Sequence, residues 1–427
     1  MPRILALTRY QRLGASSRIR FLQFLPELAK RGLDIELNYL LDDTYVSRLY
    51  ARQRVDFSKI FRSYVRRLRL MTTRSRYDLL WIEKEAFPWV PAAIETGILS
   101  GVPYVVDIDD AWFHRYDMNP SATIRRVFGR KIDSLMANSA AVVAGNHYLA
   151  ERASAAGAKS VMVIPSVVDL DKYPQATQLA DLDMDRDEVV IGWIGTPLNV
   201  RYLSPLREAF QRVTASGRVK IHIIGAKVPA DLIDLPIRSI PWTEATEVEE
   251  MKKLAIGIMP LDDAPWERGK CGFKLLQVMA AGRPVVASPV GANLRIVHHG
   301  GNGLLASTVD EWSTALRTLI ADRALRQRLG TEARRTVEAN YSVKAVLGDL
   351  ASLLRDAATD HASVARRSLP GNVHSFAAKA EPRRGLAADG RIDLVSGSPR
   401  APARLAGSAR TVTYGTGSNV RPPVTKV

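Results

Sequence analysis

Several things this chain has little of narrow its class before any motif is read. Among 427 residues there is one cysteine, Cys271. That excludes a disulfide framework and any cysteine-based zinc or iron–sulfur site, and it fits a reducing compartment. Histidine is scarce too, with seven in all, and no two stand at metal-ligand spacing on a helix. The adjacent His298 and His299 point to different sides, so no metal site is expected. Long apolar runs are missing: the least charged stretch, Phe87 to Val106, holds Glu95, three prolines and two glycines. A bilayer span needs about 20 apolar residues in a continuous helix. The start, MPRILALTRYQR, is charged within three residues and has no apolar h-region, so it does not read as a secretion signal. The expectation is a cytoplasmic chain, peripheral on the inner membrane face at most. The common phosphate signatures are absent as well. There is no G-x-x-x-x-G-K-[ST], and no G-x-G-x-x-G follows the first strand of either half. P-loop and dinucleotide chemistry are thereby disfavoured, and no cofactor is expected.

What is present is an ordinary globular composition, 46% hydrophobic and 24% charged, long enough for two domains. Acidic residues are the minority charge, 44 against 60 Lys and Arg, for a net of +16. The excess has two locations. Residues 363–427 hold 11 basic and 3 acidic residues in an Ala, Gly, Ser and Pro background. Such a stretch cannot bury enough surface to offset its ordering entropy, so 362–427 is expected to be a disordered basic tail. Residues 48–76 set ten cations against Asp56 alone. There Ile60, Phe61, Tyr64, Val65 and Leu68 recur at helical spacing, with arginines opposite. A basic amphipathic helix of this kind suits an anionic membrane surface. It equally suits a domain helix packed on its own sheet. No recognition motif accompanies the charge, so no specific nucleic-acid partner is expected.

Up to residue 361 the chain repeats one grammar twice. Apolar runs at Arg3–Thr8, Ile35–Leu40, Leu79–Ile82, Tyr104–Val106 and Ala141–Ala144 alternate with helical patterns such as Arg18–Lys30 and Ile124–Ala137. The second half restarts at Val189–Ile194 and continues with Lys220–Ile224, Ile237–Ile240, Ile256–Met259 and Pro284–Ala287. Helices are predicted near 200–215, 244–253, 272–281 and 309–321. Apolar strands alternating with helices indicate parallel sheets covered on both faces. The expected architecture is α/β: two doubly wound, Rossmann-like domains, 1–175 and 188–340, facing each other across a cleft. The polar stretch Pro174–Asp187 reads as the linker. An amphipathic helix over 341–361 closes the folded part and is placed back toward the first domain.

The segment richest in chemistry is Arg268-Gly-Lys-Cys-Gly-Phe-Lys-Leu-Leu-Gln-Val-Met-Ala-Ala-Gly-Arg-Pro-Val-Val-Ala-Ser288. Three cations, Arg268, Lys270 and Lys274, surround glycines at the start of a helix. Free amides, the helix dipole and those cations suit a diphosphate. Gln277, one turn beyond Lys274, is placed to meet a sugar hydroxyl. The bland alternative is a solvated basic loop before an ordinary helix. In the first half, Val105-Val-Asp-Ile-Asp-Asp-Ala-Trp-Phe-His114 sets carboxylates just past a strand end, where α/β active sites sit. Glu83-Lys-Glu85 and Gly145-Asn-His147 end other strands of the same sheet. Cys271 lies among cations that would lower a thiol pKa, yet no base partner is apparent.

Lys274 to Gly291, followed by Gly300-Gly-Asn-Gly-Leu-Leu305, resembles the donor-binding region of group 1 (family 4) glycosyltransferases. Val163-Ile-Pro-Ser-Val-Val-Asp169 and Ile191-Gly-Trp-Ile-Gly-Thr196 are similar to the family's hinge and to the opening of its donor domain. The resemblance covers roughly residues 1–358 and implies the GT-B fold. It also implies retaining, metal-independent transfer of a sugar from a nucleotide-diphosphate sugar to a glycan or lipid-linked acceptor, as in cell-surface polysaccharide synthesis. Donor contacts are then expected from Gly195, Thr196, Arg201, Arg268, Lys270, Gly272, Lys274, Gln277, Gly291 and Asn293. Catalytic groups are expected at Asp109, Asp110 and His114, and acceptor-side contacts at Gly14, Arg18 and Arg20. The family's two glutamates are Gly269 and Gln277 here, with Glu267 two residues from the first; Ser166 and Val167 replace the hinge Asn and Gly. Two alternatives share the fold: a nucleotide-sugar 2-epimerase and a non-catalytic binding relative. Asp107-Ile-Asp109 also resembles the metal-binding DxD of another glycosyltransferase fold, which would not explain the second α/β half.

Overall fold

The computed structural model describes residues 1–51, 53–173 and 188–367, with side chains as far as Thr359. The expected linker and the stretch from 368 onward lie outside the described residues. Two six-stranded parallel sheets organise the chain. The first contains β1 (Arg3–Tyr10), β2 (Asp34–Leu41), β3 (Leu79–Glu83), β4 (Tyr104–Ile108), β5 (Ala141–Ala144) and β6 (Val161–Val163), in the order β2-β1-β3-β4-β5-β6. The second contains β7 (Val189–Ile194), β8 (Val219–Ile224), β9 (Ile237–Ile240), β10 (Ile256–Met259), β11 (Val285–Ala287) and β12 (Gly303–Leu305), in the order β12-β11-β10-β7-β8-β9.

Side chains alternate along each strand, so each sheet feeds two cores. Leu5, Leu7, Leu80, Ile82 and Val106 enter one core of the first sheet, while Ile4, Ala6, Leu79, Trp81 and Val105 enter the other. Val190 and Ile194 against Ile191 and Trp193 do the same in the second. Both faces are covered, which is why these strands are apolar throughout.

Three predicted helices are broken. Arg18–Lys30 is a helix Ala15–Arg20, a 3-10 turn Leu22–Phe24 and a second helix Leu25–Lys30. Pro26 starts that second helix and cannot donate to the preceding turn. Ile124–Ala137 divides into Ala122–Phe128 and Lys131–Asn138 around Gly129, a weak helix former. The 200–215 stretch opens as a 3-10 helix, Val200–Leu206, containing Pro205, and becomes α-helical over Arg207–Thr214. β6, β12 and the helix Arg323–Asn340 are elements the periodicity did not give. The last helix runs Val343–Arg367, so 362–367 continue it rather than opening a tail. Val343, Val346, Leu347, Leu350 and Leu354 join the core of Phe21, Phe24 and Trp81, so the helix packs on the first sheet. No helix among the described residues is long and apolar enough to cross a membrane.

Candidate active site

Strand order reverses between β1 and β3 in the first sheet and between β7 and β10 in the second. Ligands of open α/β sheets bind beyond the carboxyl ends of the strands at such points. Here those ends carry Gly14 to Arg20 and Glu83 to Glu85 on one side, and Gly195 to Pro197 and the 260–272 loop on the other. The two halves meet at these loops. Asn146 Nδ2 donates to the carbonyls of Arg268 (3.2 Å) and Lys270 (3.0 Å), and Cys271 Sγ donates to Asp109 O at 3.0 Å. Gly269 sits so close to Ala111 that a Cβ would collide with the Ala111 backbone. The position of the family's first glutamate is therefore filled by the other domain.

On the second half, Gly272 adopts φ 68°, which glycine reaches without strain, and caps the helix Phe273–Ala280. Lys274 Nζ lies 4.8 Å from the Trp193 ring centroid. A Cβ on Gly195 would stand 3.0 Å from Lys274 Cε. Lys270 Nζ is 3.8 Å from Asp110 Oδ1. Burial, then repulsion from Lys270, lowers the Lys274 ammonium to about 7. Two ammonium groups and the amides of a glycine turn at a helix start form an arrangement able to hold an oxyanion.

Other expected donor contacts are spent elsewhere. Arg268 turns outward to Asp263 (2.7 Å). Arg201 pairs with Glu267 at 3.2 Å, and Tyr202 donates to the same carboxylate. Glu267 is thus a buried structural acceptor. Thr196 Oγ1 accepts from Asn199 Nδ2 at 3.2 Å. Gln277 is buried within its helix. Asn293 is buried too, its Nδ2 donating to Ser288 O at 3.0 Å, and Gly291, at φ 54°, lies against the Arg268 backbone. Of the ten, Gly195, Lys270, Gly272 and Lys274 come together.

On the first half, Lys84 holds a left-handed backbone, φ 62°, an uncommon conformation for a side-chain-bearing residue and one that clusters at functional sites. Its Nζ is 2.8 Å from Asp109 Oδ1 and donates to Ser16 Oγ at 2.7 Å, while Ser16 donates to Asp109. Burial pushes the Asp109 carboxyl up, but Lys84 and Ser16 overcome it and hold the group below the usual range. Burial raises the neighbouring Asp110 carboxyl, and Lys270 offsets this only in part. Adjacent carboxyls driven in opposite directions suit an ionised partner beside a proton-carrying one.

Three expectations on this side are corrected. Arg20 is buried and donates to Asp107 Oδ1 and Ile164 O, both at 2.8 Å, so no ligand reaches it. Asp107 accordingly neutralises Arg20. His114 is not a free base: Nδ1 meets Asp117 and Nε2 meets the Tyr148 hydroxyl, each at 2.8 Å. The Cys271 thiol is pushed well up, first by burial and then by Asp109, because desolvation outweighs the nearby cations. Arg18 stacks over Trp242 of the second half at 4.8 Å, and Gly14 caps the helix Ala15–Arg20 against the Tyr10 ring. Ser16, Lys84, Trp112 and Asn146 were not singled out by residue type. Lys84, Trp112 and Asn146 all lie in strand-end tripeptides or segments that the sequence marks, and that position was the available signal.

The class is set by architecture: two facing Rossmann-like domains with the site between them, the GT-B fold. Residues 188–322, about a third of the chain, match the family model described as glycosyl transferases group 1. A D-inositol 3-phosphate glycosyltransferase of Geodermatophilus obscurus is 26% identical over 268 residues, 56% of this chain and 56% of that protein, so the match spans little more than half of the relative. Among solved structures, Anabaena HepE in complex with UDP and glucose superposes with a TM-score of 0.61 at 17% identity, over 83% of this chain and 100% of its own. A sucrose-phosphate synthase of Thermosynechococcus elongatus gives 0.64 at 15% identity, over 84% and 100%. At these identities the structures speak for the fold.

Proposed function

We propose that this chain is a retaining glycosyltransferase that moves a sugar from a nucleotide-diphosphate donor to a glycan or lipid-linked acceptor without a metal ion. The observation that carries the reading is the meeting of Lys270 and Lys274 with Asp110 where the carboxyl ends of both sheets converge. Breaking a sugar–diphosphate bond leaves charge on the diphosphate. Ammonium groups and helix-start amides aimed at that charge stabilise it in the transition state. Lys274 and Lys270 take this role, with the Gly272 turn behind them. Asp110, its carboxyl raised by burial, gives its proton to the departing diphosphate oxygen as the sugar–diphosphate bond breaks and takes one back from the acceptor hydroxyl whose oxygen bonds to the sugar, while ionised Asp109 is held by Lys84. UDP in the Anabaena complexes and UDP-glucose in another make uridine nucleotides the first donors to screen.

The acceptor side supports a membrane-surface location. On the helix Phe57–Met71, Phe57 (66% exposed), Phe61 (69%) and Leu68 (48%) form an outward apolar stripe beside Lys59, Arg62 and Arg69. The predicted apolar face is divided: Tyr64 turns inward, its hydroxyl donating to Pro88 O at 2.9 Å. Arg67 is buried on carbonyls of Thr8, Asn38 and Ala86 and takes no part in any surface. This geometry suits an anionic leaflet, and with it a lipid-linked acceptor in cell-surface polysaccharide synthesis.

The test is transfer from a nucleotide-sugar panel to a lipid extract, with and without EDTA. Transfer that survives EDTA is expected. Strict manganese dependence, or epimerised nucleotide sugar formed without acceptor, would overturn the reading. Asp110→Asn is expected to keep nucleotide affinity and lower kcat. Liposome flotation with Phe57→Ser, Phe61→Ser and Leu68→Ser combined is expected to lose binding to anionic vesicles; unchanged flotation removes the helix from the membrane.

A further inference from the structure

On the first half lies a cation with no ion pair or hydrogen bond to its side chain among the described residues. Arg115 is on the short helix His114–Asp117 after β4. Its guanidinium stands between two indole rings, 5.0 Å from the Trp89 centroid and 4.9 Å from that of Trp112. Nη2 is buried with no hydrogen-bond partner, and among the described residues no carboxylate lies within 4.0 Å of it. The nearest acidic group of this cluster, Glu85, is already committed to Arg9 (3.2 Å), Lys131 (2.6 Å), Trp112 Nε1 (2.6 Å) and the Tyr116 hydroxyl (2.8 Å). Arg9 is itself 4.4 Å from the Trp112 ring and repels Arg115; burial and that repulsion both weaken the hold of Arg115 on its proton.

The neighbouring Trp89 carries a second unpartnered donor. Trp89 Nε1 is buried without a partner, on a residue held at φ 61°. A side chain in that conformation costs strain, and buried polar groups are normally paired. Cation–π contacts recover less than a desolvated ion loses. Two unpartnered donors on touching side chains, one of them cationic, together mark the place of an absent acceptor. Trp112 also lies 6.1 Å from Trp266 of the second half, so the stack borders the place where the two halves meet.

We infer that Arg115, backed by Trp89 and Trp112, forms a subsite for an oxyanion, a phosphate or a carboxylate, carried by the acceptor. The planar guanidinium fork suits two oxygens of such a group. Only the word acceptor rests on the transferase reading. The anion site stands on the unpaired donors alone.

The full chain is saturated with UDP to occupy the donor side, then titrated with inorganic phosphate while tryptophan fluorescence and Tm are followed. Phosphate is expected to change the fluorescence and raise Tm. Arg115→Met is expected to weaken phosphate binding about tenfold or more, to leave UDP affinity unchanged, and to raise Tm without phosphate, since an unpaired desolvated charge is removed. Arg115→Lys should keep part of the binding. Equal phosphate affinity in the wild type and Arg115→Met overturns the inference, as does a lower Tm with the phosphate response intact, which would make Arg115 a structural stack. Parallel titrations with a hexose phosphate, a hexuronate and anionic phospholipid vesicles identify the source: tighter binding than inorganic phosphate by one of the first two supports a soluble sugar acceptor, and by the vesicles a lipid headgroup. UDP binding that fails while phosphate still depends on Arg115 would sink the transferase reading and leave this one standing.

Discussion

The two halves share a sheet architecture and differ in what they bury at its working edge. The first half loads the carboxyl ends of its strands with ions: Arg9, Arg20, Glu83, Lys84, Glu85 and Asp107 are all buried, with Arg67, Glu95 and Lys131 behind them. At the same edge of the second half there are mostly glycine turns, Gly195, Gly225, Gly272 and Gly291, and fewer buried charges. Buried ion networks cost desolvation and hold a rigid, particular geometry only while every member is paired. Glycine turns leave backbone amides open and let a ligand approach closely. One half is therefore preorganised by its own charges, and the other is shaped to receive charge from a ligand.

The contrast can be broken most forcefully in the first half. Lys131 pairs with Glu85 (2.6 Å) and Glu95 (2.9 Å) at full burial. Lys131→Met leaves buried Glu95 without a cation and Glu85 with Arg9 as its one remaining cation, and is expected to lower unfolding free energy by about 3–5 kcal/mol in urea titrations. A loss under about 1 kcal/mol would show that the network is not holding the half together. In the second half the large effect is on ligand. Lys274→Ala should weaken nucleoside diphosphate binding about 100-fold by calorimetry, the scale of a lost charge-assisted contact, while Tm falls little. Unchanged affinity would displace the donor pocket.

A smaller effect follows from the Lys274 ammonium at about 7. It is charged below that pH and neutral above it, so diphosphate affinity should fall as pH rises from 7 to 9, by at most about tenfold per pH unit. Binding near neutrality takes up a proton, visible as a buffer-dependent enthalpy, and Lys274→Arg should flatten the profile. The smallest effect belongs to the rim that joins the halves. Arg12 meets Glu244 at 2.8 Å, with Lys172 at 3.3 Å, in solvent. Glu244→Gln should cost about 0.5 kcal/mol and vanish in high salt.

The apolar runs placed ten of the twelve strands within a residue or two, because a strand covered on both faces has to be apolar along its length. The cation-bearing turn before Phe273 was legible for a related reason: glycines and charges that interrupt an apolar pattern have few structural uses. Harder to see were the fates of individual polar side chains. Arg20, Arg67, Arg115 and Arg268 are chemically alike in the chain. One neutralises Asp107, one holds carbonyls, one is unpaired between indoles and one faces solvent.

Sequence alone determined the α/β alternation, the division into two halves and the loop that carries Lys270 and Lys274, since all of these follow from local periodicity and turn chemistry. Only the tertiary structure decided which charges are spent and which are left to meet a ligand. Arg20 finds Asp107 across 87 residues and Arg67 finds Thr8 across 59. The Asp109–Ala111 loop fills the space beside Gly269 from the other domain. Electrostatic energy depends on distance in space and on burial, and neither is encoded by a residue's neighbours in the chain.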